Sequence, residues 1–147
     1  MDGTPNSGKD KTASASQTRA RYEVNLPGSL KITSSVMTQP FDVKDVTVRY
    51  VGYTLKGLFL TIETRAARSE LSKMLVRRRT CYTICQFPGA SRASRLFGEI
   101  DWVEPRLTPE DIHVRIGISL DESKPEILAD LRAFLKSLED RERHPSG

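Results

Sequence analysis

The chain is poor in the residue types that most protein chemistry needs. Its 147 residues include two cysteines, two histidines and one tryptophan. His144 sits in a polar C-terminal stretch and only His113 lies in the body of the chain, too few ligands for a Cys/His zinc set, so no metal site is expected. Cys81 and Cys85 are four residues apart; along a strand that spacing separates them by about 13 Å, beyond disulfide reach, so reduced, packed thiols are expected. There is no G-x-S-x-G, no H-E-x-x-H, no phosphate loop and no Cys/His pair at a useful spacing, so nothing sets a nucleophile beside its base and the chain reads as a non-enzyme that needs no cofactor. No apolar run approaches the roughly 18 residues of a membrane helix, and the first 25 residues lack the hydrophobic block of a secretory signal. The expected location is the cytoplasm, without membrane insertion.

What is present is charge, unevenly placed. The formal net charge is +4. Residues 65–95 hold eight Lys or Arg against one Glu, whereas residues 96–119 hold two basic residues against five acidic ones. The run Arg77, Arg78 and Arg79 lies at the centre of the basic segment and is the candidate partner surface: its field would steer an acidic protein or an anionic ligand, although charge runs are most often solvated faces.

Residues 1–20 carry no large apolar side chain after Met1 and are rich in Ser, Thr, Gly, Lys and Asp, so a flexible N-terminal tail is expected there, with a second short tail at 143–147. Between the tails the dominant signal is period-2 alternation. Val114, Ile116, Ile118 and Leu120 alternate with His113, Arg115, Gly117 and Ser119; Leu96, Gly98, Ile100 and Trp102 alternate with Phe97, Glu99, Asp101 and Val103. That spacing puts Trp102 on the buried face. Further strands are expected at 28–34, 43–51, 57–64 and 79–87. Six strands parted by turn clusters, none with the two-sided apolar pattern of a parallel sheet, predict an antiparallel barrel or sandwich.

Residues 124–142 break the pattern. Ile127, Leu128, Leu131, Phe134, Leu135 and Leu138 recur at helical spacing, Pro125 falls in the first turn, and Ser123 with Glu126 makes a capping box. The stripe must be buried, either by closing one end of the sheet structure or by meeting another protein.

Taken in order, these pieces resemble the PilZ domain, the bacterial module that receives cyclic di-GMP. An Arg followed by an aromatic and a short apolar-Pro stretch (Arg21, Tyr22, then Val24 to Pro27) precedes a strand-turn-strand whose centre, Gly52 to Leu58, is similar to the family's D/N-x-S-x-x-G-L. A strand ending in Phe87-Pro88, the segment Phe97 to Glu104 and the strand Val114 to Ile118 follow, with the amphipathic helix last. The resemblance covers about residues 17–142. It implies a mainly β fold, a six-stranded antiparallel PilZ-like β-barrel over 22–121 with a C-terminal amphipathic α-helix over 124–142, together forming one domain over 21–142.

The resemblance also implies cyclic di-GMP as ligand, held by an R-x-x-x-R pair and the D/N-x-S-x-x-G turn. Here Gln17 takes the place of the first Arg, with Arg19 and Arg21 following, and Gly52, Thr54 and Gly57 take the places of Asp/Asn, Ser and Gly. Arginine suits such a ligand because one guanidinium can fork onto phosphate or guanine O6/N7 and stack on a base. Losing an Arg fork and a side-chain acceptor costs about 3–6 kcal/mol if the two are independent, enough to turn micromolar binding into millimolar or weaker. The expected function is therefore a PilZ-like signalling domain acting by regulatory contact with a protein partner, its nucleotide binding weakened or lost. The competing reading is a small basic β-barrel that binds nucleic acid. It would need aromatic side chains on an exposed strand face, and Tyr50, Tyr53, Tyr82 and Phe97 are the candidates.

Overall fold

The computed structural model describes residues 18–33, 40–66 and 79–143. Along the chain these form β1 (Thr18–Ile32), β2 (Phe41–Thr54), β3 (Gly57–Ala66), β4 (Thr80–Cys85), β5 (Ser94–Leu107) and β6 (Ile112–Leu120). A 3-10 turn (Pro125–Leu128) then leads into α1 (Ala129–Arg143). The fold is mainly antiparallel β with a C-terminal helix, as the alternation and the amphipathic stripe predict. The strands hydrogen-bond in the order β1-β2-β3-β6-β5-β4, and β4 returns to β1 to close the ring. The basic residues Arg77 and Arg78, the position Gln17 and most of both expected tails lie outside the described residues.

β1 starts ten residues before the expected strand and takes in 18–20, which composition assigned to a tail. The reason is a one-sided alternation. Tyr22, Val24 and Leu26 are half-buried while Arg21, Glu23 and Asn25 are exposed, so this stretch buries one face, and β2 pairs along its edge. Pro27 interrupts the pattern in the sequence. It lies just before the pairing with β4 begins at Gly28, so its missing N–H removes no bond to β4.

β2 bends around the core by means of two irregularities. Its inward residues are Val43, Val46, Val48 and Val51, so the period of two twice stretches to three. At the first irregularity Asp45 adopts φ 56°; at the second Arg49 is the extra residue against β3. Such bulges raise local twist and allow a strand to follow a closed, coiled sheet.

The interior is filled by these valines together with Leu30, Ile32, Leu60, Ile62, Ile100, Val114, Ile116 and Ile118, all essentially inaccessible. Cys81 and Cys85 point inward from β4 as free thiols, and burial pushes them up to about 12 and about 11 respectively, with the Glu99 carboxylate adding to the shift at Cys81. They are packing groups, held protonated.

α1 closes one end by burying Leu131, Phe134 and Leu135, joined by Leu128 of the preceding turn. The Phe134 ring lies 5.5 Å from that of Phe87, which is itself fully buried. The helix entry differs from the capping box that the sequence suggests. Lys124 stands at the N-cap without a side-chain bond, and Ser123 donates its backbone N–H to Asp121 Oδ1 at 2.9 Å. Pro125, with no N–H to cap, starts a 3-10 turn, in which the Ile127 N–H bonds the Lys124 carbonyl at 3.0 Å. Truncating Phe134 to Ala should cost about 3–5 kcal/mol of unfolding free energy in a urea titration, whereas Leu55→Ala, at a turn position 62% exposed, should stay within about 0.5 kcal/mol.

Candidate functional site

The residues that the family resemblance singles out converge on one corner of the molecule. Arg21 of β1 lies directly opposite Gly52 of β2, Arg19 occupies an irregularity just before it, and the β2–β3 turn carries Thr54 and Gly57. Gly52, Thr54 and Gly57 are each engaged in building that corner. A Cβ on Gly52 would overlap the Ala20 carbonyl of β1, so glycine is required by the approach of two backbones. The Thr54 hydroxyl accepts the Lys56 N–H at 3.0 Å and ties off the turn. Gly57 adopts φ 130°, and a Cβ there would also collide with the Glu122 carboxylate. That carboxylate accepts the Leu58 N–H at 2.8 Å and pairs with Arg132 of α1 at 3.0 Å.

The same corner is bound to the helix by two phenols. Tyr53 donates to Glu139 at 2.7 Å and Tyr22 to Glu142 at 3.1 Å. Hydrogen bonding to Glu139 raises Tyr53 above its ordinary range; burial, reinforced by Glu142, pushes Tyr22 up to about 12. Glu139 and Glu142 thus fasten α1 to the core-facing side of the corner, and Glu122 fastens the turn, whereas Arg21 and Gly52 alternate to the outer side. Arg21 turns instead onto the Tyr50 ring, its guanidinium carbon 3.9 Å from the ring centroid.

A second constellation covers the outer face of the sheet. Tyr50, Thr61, Gly117 and Trp102 lie side by side on β2, β3, β6 and β5. Two bulges bring the aromatic pair there. The extra residue Arg49 puts Arg49 and Tyr50 on the outer side between inward Val48 and Val51, and the shift between Ile100 and Trp102 turns the indole outward. Trp102 is therefore half-buried on the outside, over Gly117, and not among Leu96, Gly98 and Ile100 as strict alternation predicts. A Cβ on Gly117 would occupy the place of the indole.

Beside this row Glu63 gathers three nitrogenous side chains. Arg115 donates to one oxygen at 3.0 and 2.7 Å; Arg49 Nε and His113 Nε2 approach the other at 3.4 and 3.7 Å. Arg49 also reaches Glu23 at 3.4 Å. Glu63, Arg49 and Arg115 carry no motif and were not singled out from the sequence; the only signal was Gly117 within an otherwise regular strand, the mark of a close approach.

Arg79 is a correction to the expected partner run. It is half-buried and its guanidinium donates to the Thr33 carbonyl, so it ties the start of β4 to the end of β1. Its reversal to Glu would break that contact and lower stability, contrary to what an exposed charge run implies. On the neighbouring face, Phe97 is 39% exposed and its ring lies 5.6 Å from that of Tyr82, over which Arg95 sits at 4.8 Å. Among the described residues no three His, Cys, Asp or Glu side chains converge as metal ligands would.

No family model and no curated protein matches the chain.

Two outcomes follow from the corner. Gly52→Asp, the change that would supply the missing acceptor, should destabilise the protein by about 1–3 kcal/mol in chemical denaturation, because β1 and β2 must move apart. The raised phenols favour the protonated folded state, so their contribution is complete below the unfolded value near pH 10 and is lost as pH rises toward about 12. Thermal melts at pH 9 and pH 11 should show a smaller alkaline loss for the double variant Tyr22→Phe, Tyr53→Phe than for the wild type.

Proposed function

We propose that the chain is a PilZ-like signalling domain that acts by regulatory contact with a protein partner and has weakened or lost cyclic di-GMP binding. The six antiparallel strands closed into a barrel, with an Arg-bearing first strand beside the β2–β3 turn and a helix at the C-terminus, support the family reading. The observation that carries the rest is the occupied corner. Gly52, Thr54 and Gly57 each serve the backbone, and the Leu58 N–H that an anion would seek is already bonded to Glu122. An anion at the Leu58 N–H would meet the Glu122 carboxylate and would compete with a contact that holds α1.

The nucleic-acid reading draws on Phe97, Tyr82 and Arg95, an aromatic pair with a cation on an exposed strand face. Glu99 and Asp101 follow Phe97 along β5 and are exposed, which opposes a phosphate backbone, so protein contact is the better account.

Isothermal titration with cyclic di-GMP decides the central point. The expected result is no saturable heat up to about millimolar ligand. A micromolar dissociation constant, weakened by Arg21→Ala, would overturn the adaptor reading and make the chain a receptor.

A further inference from the structure

Away from that corner, a cleft of about 610 Å3 opens where β4, β5 and β6 meet the turn into α1. Its size is that of a small-molecule or side-chain pocket. Phe97, Leu120 and Ile127 form the apolar wall, and Glu99, Asp121 and Lys124 supply the charges. Two carboxylates against one ammonium make this an anionic hollow in a chain whose net charge is +4.

The two carboxylates differ in their engagement. Asp121 accepts the Ser123 N–H, which with the nearby Lys124 holds it below the usual carboxylate range. Glu99 makes no hydrogen bond or ion pair among the described residues, and its charge is felt by the Cys81 thiol in the cleft wall. A carboxylate beside an open aromatic face is a pairing that a guanidinium satisfies in full: its plane stacks on the ring, its N–H fork meets the carboxylate, and it gives up hydration more readily than an ammonium does. The neighbouring Arg95, stacked over Tyr82, shows the stacking half of this arrangement made within the chain. An alkyl stem behind the guanidinium would lie along Leu120 and Ile127.

We propose that this cleft binds a guanidinium group on an alkyl stem, with Glu99 as its counter-ion and Phe97 as its stacking face. The proposal is independent of the regulatory reading given above, since it uses neither the corner nor the PilZ resemblance. The shared chemistry has two sources, a free arginine-like molecule and an arginine side chain on a partner peptide.

The test is a heteronuclear NMR titration at low salt with three probes: N-acetylarginine methylamide, a five-residue peptide with one central arginine flanked by serine and glycine, and N-acetylglutamate methylamide. Both arginine probes should shift amides of β5 and of the turn before α1 saturably, and the glutamate probe should not. Tighter binding of the peptide assigns the site to a protein partner, and equal binding assigns it to a free guanidine. Glu99→Gln and Phe97→Ala, both at exposed positions and checked for fold by circular dichroism, should each weaken binding about tenfold or more. Asp42→Asn, three strands away from Phe97 across the sheet and paired with Lys31, should leave it unchanged. No saturable shift up to about 10 mM arginine probe, equal binding by Glu99→Gln, or an equal loss in Asp42→Asn would overturn the proposal.

Discussion

The architecture depends on β1 serving two neighbours at once. Over Gly28–Ile32 it pairs with β2 on one edge and with β4 on the other, and the Thr33 N–H continues the seam to the Thr80 carbonyl, so the two ends of the strand order meet here. Without that short double pairing, β1 and β4 would both be open edges, each with unsatisfied backbone donors and acceptors. The side chains at the seam follow from this. Leu30 and Ile32 fill the interior beside Cys81 and Cys85, and a Cβ on Gly28 would overlap the Ile84 carbonyl. Arg79 reinforces the seam from outside through the Thr33 carbonyl. A residue that looks like free surface charge in the sequence is therefore part of the closure.

Closing a sheet of six strands demands curvature, and the chain obtains it through bulges that also decide what the outer face presents. Each extra residue reverses the inside/outside order beyond it. In β2 the reversal after Val48 keeps Val51 in the core while it turns Arg49 and Tyr50 outward together. In β5 the reversal after Ile100 delivers Val103 to the core side and Trp102 to the outside. The Tyr50–Thr61–Gly117–Trp102 row and the ion pairs around Glu63 are thus consequences of closure. Glu63, only 14% exposed, is tolerable there because Arg115 meets it with two donors and Arg49 and His113 flank it.

Much of this was legible in the residues. The alternations at 96–100 and 113–120, the helical stripe from Ile127 to Leu138 and the burial of two unlinked cysteines all rest on side-chain period and spacing, which local sequence displays. What escaped depends on partners distant in sequence. A bulge is invisible to a period-2 count, so Trp102 was assigned to the wrong face. The start of β1 at Thr18 escaped because composition assigned residues 1–20 to a tail, while the edge that pairs it, on β2, is distant in sequence. The Ser123–Glu126 box was a correct local pattern overridden by Asp121, which engages the Ser123 N–H first. Of the candidate site, the sequence brought together the right segments, since Arg21 does face Gly52, but not the roles, because a glycine forced by a neighbouring carbonyl and one kept for a ligand are the same letter.

The helix is where fold and function meet. Glu122 joins the β2–β3 turn to Arg132, Tyr53 joins β2 to Glu139, and Tyr22 joins β1 to Glu142, so three strands' worth of the corner are tethered to α1 by charged or hydrogen-bonded pairs. These contacts are partly exposed, so each contributes little to stability by itself. The apolar stripe beneath them, from Leu128 to Leu135, supplies the bulk of the docking energy. The division of labour separates two ways in which the corner can give. Breaking the polar tethers would loosen the corner without releasing the helix, whereas disturbing the stripe would open the end of the barrel. Competition for Glu122, Glu139 or Glu142 would therefore shift the β2–β3 turn against strands that stay folded.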